Sequence, residues 1–202
     1  MKNFALSTVA VLAMSTFAIA GGDIAPVEPA VEVEAPIDNS SFYVGLGYSY
    51  INMEKEWARL GTEAVTEDAV TLLAGYNFNK YVALEGRYTL GIGDLDSDMD
   101  GDIDGDLSNI GIYLKPMYPF GGMTVYGLLG YGQVTLEETP YSVDGSESGF
   151  QWGLGASVAV NDNVGIFVDY TRLYDDTGGF NSMFDGTPIT IDGINVGFTY
   201  KF

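Results

Sequence analysis

The last ten residues of the chain alternate strictly between two kinds of side chain. Every second position is large and apolar: Ile194, Val196, Phe198, Tyr200 and Phe202. The positions between them are small or polar: Gly193, Asn195, Gly197, Thr199 and Lys201. Successive side chains of a β-strand point to opposite faces of the sheet, so this pattern predicts a strand with one apolar and one hydrophilic face. A chain that ends in this way must place that strand in a sheet whose two faces meet different surroundings.

The same alternation recurs seven times between residues 42 and 171. In six of these stretches the apolar face is clear, and its members are Phe42, Val44, Leu46, Tyr48, Tyr50; Val70, Leu72, Ala74, Tyr76, Phe78; Val82, Leu84, Gly86, Tyr88, Leu90; Ile110, Ile112, Leu114, Pro116, Tyr118; Phe150, Trp152, Leu154, Ala156, Val158; and Val164, Ile166, Val168, Tyr170. The fifth stretch, Thr124 to Leu136, is strand-like, but its two faces are too similar to assign. The sequence therefore predicts eight strands.

The links between these strands are of two lengths. Three are short and rich in Asn, Gly and Asp, as hairpin turns are: 77–81, 120–123 and 161–163. Four are longer and hold most of the acidic residues: 53–67, 92–107, 137–148 and 174–188. Short and long links alternate, so all the long ones lie at one end. This predicts an all-β fold, an eight-stranded antiparallel up-and-down barrel of the transmembrane kind.

A soluble, ligand-carrying barrel can have eight antiparallel strands too, with its apolar face inward, and alternation alone does not choose between the two. The hydrophilic face carries Glu85, Arg87, Lys115 and Asp169, which would line an apolar ligand site poorly. The apolar face places aromatic residues near strand ends, as the girdles of membrane barrels do: Tyr48, Phe78, Phe150, Trp152 and Phe202. We therefore expect the apolar face to meet lipid.

The N-terminal region differs from the rest in composition. Residues 1–20 are predicted to be a signal peptide cleaved after Ala20, since Lys2 precedes an apolar run that is shorter than the ~20 residues of a membrane span. Residues 21–41 alternate Pro with Asp and Glu, which predicts an extended periplasmic linker. The barrel domain is then 42–202.

Composition removes several classes of function. The chain has no Cys and no His, which removes thiol chemistry, the usual general base of hydrolases and the commonest transition-metal ligand. Its 8 basic residues are scattered in a chain of net charge −20, so no surface for nucleic acid is expected. We predict a non-enzymatic protein without catalytic residues and, apart from the ion considered below, without a cofactor.

Three segments resemble the small eight-stranded outer-membrane barrels of the OmpA-type and opacity-protein class: Phe42-Tyr43-Val44-Gly45-Leu46-Gly47-Tyr48, Glu85-Gly86-Arg87-Tyr88 and Gly197-Phe198-Thr199-Tyr200-Lys201-Phe202. The resemblance implies a place in the bacterial outer membrane, in contact with its lipid and lipopolysaccharide. It also implies that the barrel-assembly machinery reads the last strand, which ends at Phe202. Barrel enzymes of similar size, the lipid A acyltransferases and deacylases, use a catalytic histidine that this chain lacks. The role implied is structural, or a surface interaction through the long loops.

The inward charges Glu85, Arg87, Lys115 and Asp169 have two interpretations. The interior of an eight-stranded barrel is just wide enough for side chains to fill it, so these groups can form a closed network of ion pairs. Alternatively they line a narrow, porin-like channel for passive diffusion of small solutes. We expect the closed network, because an unpaired charge in that interior would cost several kcal/mol.

The link 92–107 holds an acidic motif. Asp96, Asp98, Asp100, Asp102 and Asp104 alternate with other residues, and the run resembles the D-x-D-x-D-G calcium loop. Ca²⁺ takes six to eight oxygen ligands, which closely spaced carboxylates can supply. The motif lacks the final bidentate Glu and the flanking helices of an EF-hand. It predicts either a Ca²⁺ site or a solvated acidic loop.

Overall fold

A computed structural model describes residues 40–57, 61–93, 95–97, 101–103, 105–138, 143–175 and 189–202. The predicted signal peptide and nearly all of the predicted linker lie outside these residues. No helix within them is long and apolar enough to cross a membrane.

The described residues contain ten strands: β1 (Ser41–Trp57), β2 (Gly61–Asn79), β3 (Val82–Gly91), β4 (Leu95–Ser97), β5 (Gly101–Ile103), β6 (Gly105–Phe120), β7 (Met123–Glu138), β8 (Val143–Ala159), β9 (Val164–Asp175) and β10 (Ile189–Lys201). Eight of them form the barrel, each pairing antiparallel with the next, and β4 and β5 form a small added hairpin. β10 pairs back onto β1 from Lys201 opposite Tyr43 to Ile189 opposite Lys55, so the sheet is closed. The predicted eight-stranded barrel is confirmed.

The apolar faces predicted for seven strands point outward. Exposed side chains include Leu46, Leu84, Ile112, Leu154 and Phe198. Together they form a continuous apolar band, nine residues deep on most strands, which is close to the length that a tilted strand needs to cross a bilayer. We refer to the segments 42–50, 70–78, 82–90, 110–118, 123–131, 150–158, 164–170 and 194–202 as the apolar band.

Aromatic rings border this band at both ends. Near the short turns, Phe42 and Tyr76 lie 4.7 Å apart and Tyr200 and Phe202 lie 5.2 Å apart, measured between ring centroids. Towards the long links, Trp152 lies 5.7 Å from Tyr170. These are the positions that aromatic girdles take at the two surfaces of a membrane.

The short turns are built by asparagine side chains and one glycine. The Asn79 Oδ1 accepts the backbone N–H groups of Tyr81 (2.7 Å) and Val82 (3.1 Å), and the Asn161 Oδ1 accepts those of Asn163 and Val164 in the same way. Gly121 has a φ of +62°, which favours glycine. These contacts reverse the chain within a few residues, so the three turns lie at one end, hereafter the short-turn end.

The four long links contain more strand than the sequence predicted. β1 continues to Trp57 and β2 begins at Gly61, so most of the expected loop 53–67 is paired strand. The link 92–107 holds the β4–β5 hairpin and the start of β6, and the other two links are shortened in the same way. The sequence-based bounds were wrong because the outward apolar residues stop at the edge of the apolar band, whereas backbone pairing continues beyond it. The barrel therefore projects past the band at this end, hereafter the long-link end.

The interior is not polar throughout, which corrects a second expectation. Towards the long-link end it is filled by buried side chains that are nearly all aliphatic: Ile51, Met53, Val65, Ala69, Leu95, Leu107, Val134, Leu136, Leu173, Tyr174, Ile189 and Ile191. We call this set the apolar plug. On β1 it simply continues the inward positions below it, because Ile51 and Met53 follow Ser49 at period 2.

Candidate functional site

The lumen within the apolar band holds four of the buried charged residues that the structure describes. Glu85 and Arg87 come from β3, Lys115 from β6 and Asp169 from β9, and the barrel brings all four side chains together inside. Each points inward because it occupies an inward position of an alternating strand. We call these four residues the ion-pair cluster.

Glu85 is bonded through both carboxylate oxygens. Its Oε1 accepts the Arg87 Nε–H at 2.7 Å, and its Oε2 accepts the Lys115 ammonium at 2.7 Å. The Tyr43 hydroxyl donates to the same Oε2 at 2.6 Å. The carboxylate is fully buried, so these three donors replace the water that it loses on folding.

Asp169 is held from across the lumen. The Arg87 guanidinium forms a bidentate ion pair with it, in which Nη1 donates to Oδ1 at 2.9 Å and Nη2 donates to Oδ2 at 2.7 Å. The Tyr126 hydroxyl donates to Oδ2 at 2.8 Å, and the Asn195 amide donates to Oδ1 at 2.8 Å. Paired contacts of this kind fix both partners in direction as well as distance.

The cluster is electrically balanced, with two carboxylates and two cations. Aromatic rings complete the surroundings of the cations: the Lys115 Nζ lies 4.1 Å from the centre of the Tyr126 ring, and the Arg87 Cζ lies 5.9 Å from that of Phe167. A charge-balanced cluster in which both carboxylates are bonded through both oxygens has little free energy to gain by admitting another ion.

Hydroxyl and amide groups form a second layer next to the cluster. The Ser49 Oγ lies 2.6 Å from the Thr71 Oγ1, which lies 2.7 Å from the Thr89 Oγ1. Ser49 also donates to the Asn195 Oδ1 at 2.6 Å, which joins this chain of hydroxyls to the ion-pair cluster. Facing them, Tyr113 donates to the Gln151 Oε1, and Gln151 donates to the Asn109 Oδ1 at 2.7 Å.

Three layers therefore follow one another along the lumen: the ion-pair cluster, the hydroxyl and amide groups, and the apolar plug. The inward residues of β1 follow the same order along the strand: Tyr43 contacts the ion-pair cluster, Ser49 belongs to the hydroxyl layer and Met53 to the apolar plug. All three of these side chains are buried. The three layers lie in this order along the path that a solute would have to take through the barrel.

Glu67 is a carboxylate set into the edge of the plug, beyond the apolar band. Its Oε2 accepts the backbone N–H of Leu107 at 3.1 Å, and only 3% of the residue is exposed. A side chain at Gly91 would overlap its carboxylate, so this glycine leaves the space that Glu67 fills. Burial raises the pKa of Glu67 from 4.5 to about 8, the nearby charges of Asp106 and Asp68 act in the same direction, and the Leu107 N–H opposes them.

The predicted calcium loop is only partly described. Asp96 lies exposed in β4, and Asp102 lies in β5 as its direct partner in the register. Asp98, Asp100 and Asp104 lie outside the described residues. Within the described part of the chain, no group of three or more acidic residues is placed to hold a metal ion.

The sequence predicted that four charged residues point into the lumen, but it did not identify the residues that complete their hydrogen bonds. Tyr43 and Asn195 were detectable, because they occupy the hydrophilic face of their alternating strands. Tyr126 was not, because both faces of β7 are apolar. In the structure Tyr126 and Leu128 point inward and pack with Tyr113, whereas Val125 and Leu129 point outward.

The carboxylates and hydroxyls of the lumen are engaged with one another and with neighbouring donors. The oxygens of the Glu85 and Asp169 carboxylates all accept hydrogen bonds from cations or hydroxyls, so neither carboxylate is free to act as a base. The hydroxyls of Ser49, Thr71 and Thr89 bond to one another, and Ser49 also donates to the Asn195 amide; none of these three bonds is made to a carboxylate.

Residues 4–202 match the family model described as outer membrane protein beta-barrel domain. A comparison with curated protein sequences finds no match. Among solved structures, Neisserial surface protein A shares 18% identity with a TM-score of 0.59, over 81% of this chain and 99% of that one. OprG from Pseudomonas aeruginosa shares 15% identity with a TM-score of 0.55, over 82% and 97%. The attachment invasion locus protein Ail of Yersinia pestis shares 17% identity with a TM-score of 0.55, over 81% and 99%. At these identities the likeness concerns the fold.

Proposed function

Because this chain belongs to the outer membrane protein beta-barrel domain family, we propose that it is a non-enzymatic barrel with a closed lumen that acts through its extracellular surface. In such barrels the short turns face the periplasm and the longer loops face the outside. The long-link end, with the projecting strands and the β4–β5 hairpin, is then the part that meets the surroundings of the cell.

The observation that carries this proposal is the filled lumen. Both carboxylates of the ion-pair cluster are bonded through both oxygens, and the apolar plug closes the interior above them. If the lumen carries no solute and offers no reactive group, the protein must act through its outer surface. The strongly acidic character of the chain, net charge −20, favours cationic partners for that surface.

The competing proposal is a narrow channel for passive diffusion of small solutes, and liposome swelling separates the two. Folded protein is reconstituted into liposomes that are then diluted into an isotonic solution of a small sugar. We expect no swelling beyond that of protein-free liposomes, because the lumen is filled from the ion-pair cluster to the plug. Swelling that increases with the amount of folded protein would favour the channel.

The same orientation, with the short turns in the periplasm and the long links outside, determines which molecules we expect the barrel to contact. Outer-membrane lipid would cover the apolar band, and lipopolysaccharide would surround the long-link end. The barrel-assembly machinery would read β10 and the terminal Phe202 that follows it. The backbone N–H of Phe202 donates to the Phe42 carbonyl at 3.0 Å. Signal-peptide cleavage after Ala20 belongs to the same proposal.

Calcium binding by the acidic link is a separate part of the proposal. The register of the β4–β5 hairpin sets Asp96 opposite Asp102, and like charges in directly opposed positions destabilise a strand pair unless a cation screens them. Calorimetric titration of the folded barrel with Ca²⁺ tests the site. We expect Asp98→Asn to weaken Ca²⁺ binding. The site would be contradicted if the affinity is about millimolar or weaker, the weak end of natural Ca²⁺ sites, and if Asp98→Asn leaves it unchanged.

A further inference from the structure

The outer wall of the barrel has a groove within the apolar band. It crosses the four neighbouring strands β2, β3, β6 and β7 and has a volume of about 560 Å³, within the ~300–1,000 Å³ that is usual for ligand pockets. At this level each of these strands is paired with the next, so the wall is closed behind the groove. The outward residues that line the groove include Leu72, Ala74, Gly86, Tyr88, Ile112 and Tyr131.

Two small residues create this hollow. Ala74 and Gly86 are direct partners in the register of β2 with β3, and both are exposed next to the larger side chains of Leu72 and Tyr88. Packing does not require a glycine here, because a Cβ added to Gly86 would meet no atom closer than 3.9 Å. The registers of β3 with both neighbours also run through this position without a bulge. Glycine weakens the interior of a strand, and one common reason for its presence is the close approach of a ligand.

The groove runs from the middle of the apolar band to the border at the long-link end. Gly86 is the central residue of the segment 82–90. It pairs with Ile112, which in turn pairs with Tyr131, the last residue of the segment 123–131. Since the strands of membrane barrels are tilted by about 45°, this row of partners is inclined to the membrane plane as well. The groove therefore has the depth of one leaflet, the leaflet on the long-link side.

Tyr131 provides a hydroxyl at the outer end of the groove. Two other outward tyrosines near this border, Tyr48 and Tyr170, donate their hydroxyls to Asp68 and Asp192. Within the described part of the chain, the hydroxyl of Tyr131 has no such acceptor. It is therefore available to an oxygen of a bound molecule.

The border above the groove is polar but carries no charge. The first outward positions beyond the apolar band on β6 and β7 are Ser108 and Gln133. The corresponding borders beside Tyr48 and Tyr170 carry the carboxylates of Asp68 and Asp192. In a chain of net charge −20, an anionic head group meets less repulsion at Ser108 and Gln133 than at either aspartate.

An acyl chain under an anionic head group fits both parts of the groove. The hollow lies in the band that faces lipid, and left empty it would cost its lining the dispersion contacts that a flexible chain can supply. The hydroxyl and the neutral border then lie at the depth of the head group. A second copy of this chain is disfavoured as the occupant, because each copy carries a net charge of −20.

We propose that the groove from Gly86 to Tyr131 binds one acyl chain of lipopolysaccharide, whose phosphorylated sugar head group then lies beside Tyr131, Ser108 and Gln133. The proposal assigns a defined site to a lipid that would otherwise only surround the barrel. It rests on the proposed function in one respect, that the long-link end faces outward, where lipopolysaccharide lies.

Native mass spectrometry of the full folded barrel tests the assignment, because it resolves bound lipids by their mass. The barrel in detergent is titrated with deep-rough lipopolysaccharide and, in a parallel series, with phosphatidylglycerol. We expect one tightly bound lipopolysaccharide per barrel. It should bind more tightly than phosphatidylglycerol, because its sugar head group reaches the hydroxyl and amide groups at the outer end of the groove.

A matched pair of substitutions locates the bound chain. Ala74→Leu should weaken lipopolysaccharide binding roughly tenfold, which corresponds to the lost burial of about two methylene groups of the chain. Ala156→Leu places the same side chain at a half-exposed outward position of β8 that does not line the groove, and should leave binding unchanged. Gly86→Leu should act as Ala74→Leu does. Heat-dependent electrophoretic mobility shows whether each variant is folded.

A second pair tests the head-group contact. Tyr131→Phe should weaken lipopolysaccharide binding roughly fivefold, the size of one hydrogen bond. The control Tyr118→Phe removes the hydroxyl of an exposed tyrosine near the short-turn end of β6 and should have no effect.

Three results would overturn the proposal. Equal weakening by Ala74→Leu and Ala156→Leu would mean that lipid covers the band without a preferred site. Phosphatidylglycerol that binds at least as tightly as lipopolysaccharide, and is lost in Ala74→Leu, would mean that the groove takes a phospholipid. A dimer that Ala74→Leu abolishes would mean that the groove is a contact between copies. The liposome swelling assay reports on the lumen alone, so failure of the closed-lumen proposal and failure of this one are distinguishable.

Discussion

Arg87 is the residue on which the interior charges depend most. It is the only one of the four that bonds both carboxylates, to Glu85 through Nε and to Asp169 through Nη1 and Nη2. Of the two carboxylates in the cluster, Lys115 forms an ion pair only with that of Glu85. Without Arg87, one buried carboxylate would be left with hydroxyl and amide donors only.

Replacing Arg87 with Ala should therefore destabilise the barrel strongly. We expect a loss of about 3–5 kcal/mol in the free energy of unfolding, the cost of leaving a buried charge without its partner. Urea titration of barrels folded into lipid vesicles measures it, with the fraction folded read from heat-dependent electrophoretic mobility.

Arg172→Ala is the matched control, because this arginine forms its ion pairs at the half-exposed rim, with Asp192 at 2.5 Å and Asp175 at 3.3 Å. Ion pairs of that kind contribute about 1 kcal/mol or less. Equal losses from the two substitutions would contradict the role of Arg87 as the centre of the cluster.

At the scale of elements, the junction of β2, β3 and β6 shows how the projecting strands are held. β3 ends at Gly91 while its neighbours continue, so β2 and β6 lose their common partner. The Glu67 carboxylate spans the gap by accepting the Leu107 N–H at 3.1 Å. One side chain thus connects two strands that no backbone ladder joins at this level.

This bridge should make stability depend on pH. The pKa of Glu67 is raised from 4.5 to about 8 by burial first, so the folded barrel favours the protonated acid. The corresponding stabilisation is fully present below pH 4.5 and is lost as pH rises to about 8. We expect the thermal unfolding midpoint to fall over this window in the native barrel.

Glu67→Gln should flatten that dependence, because the amide keeps an oxygen for the Leu107 N–H and does not ionise. The exposed Glu137→Gln on β7 should leave the profile as it is. A profile that is identical for the native barrel and Glu67→Gln would show that the pKa of this carboxyl is the same in the folded and unfolded states, and would contradict the raised value.

The strands also show how far sequence reasoning reaches. Period-2 alternation predicted seven strands and their outward faces, because lipid-facing and lumen-facing positions differ sharply in chemistry within the apolar band. It failed for β7, where inward Leu128 and outward Leu129 are equally apolar. It also ended the strands too early and expected loops at positions such as Met53 and Val65, since beyond the band the contrast reverses: the plug is apolar inside and the outside is polar.

For the whole molecule, the order of layers determines what the barrel can do. The inside is charged and hydroxylic where the outside is apolar, and becomes apolar where the outside turns polar. Outside β7, the residues that point inward followed from the sequence, which also led us to expect that the inward charges pair. Which charges pair did not follow, because Glu85 and Asp169 lie on strands that are distant along the chain. The network depends on the closure of β1 on β10, which sets the lumen at the width that side chains fill.

Single-channel recording in planar bilayers tests the closed lumen most directly. Protein shown to be folded by its heat-dependent mobility is added at stepwise increasing amounts under an applied voltage. We predict a silent baseline, because an ion entering the lumen would have to displace Arg87 or Lys115 from Glu85 and then cross the apolar plug. Steady, reproducible conductance steps whose frequency rises with the amount of folded protein would contradict the account.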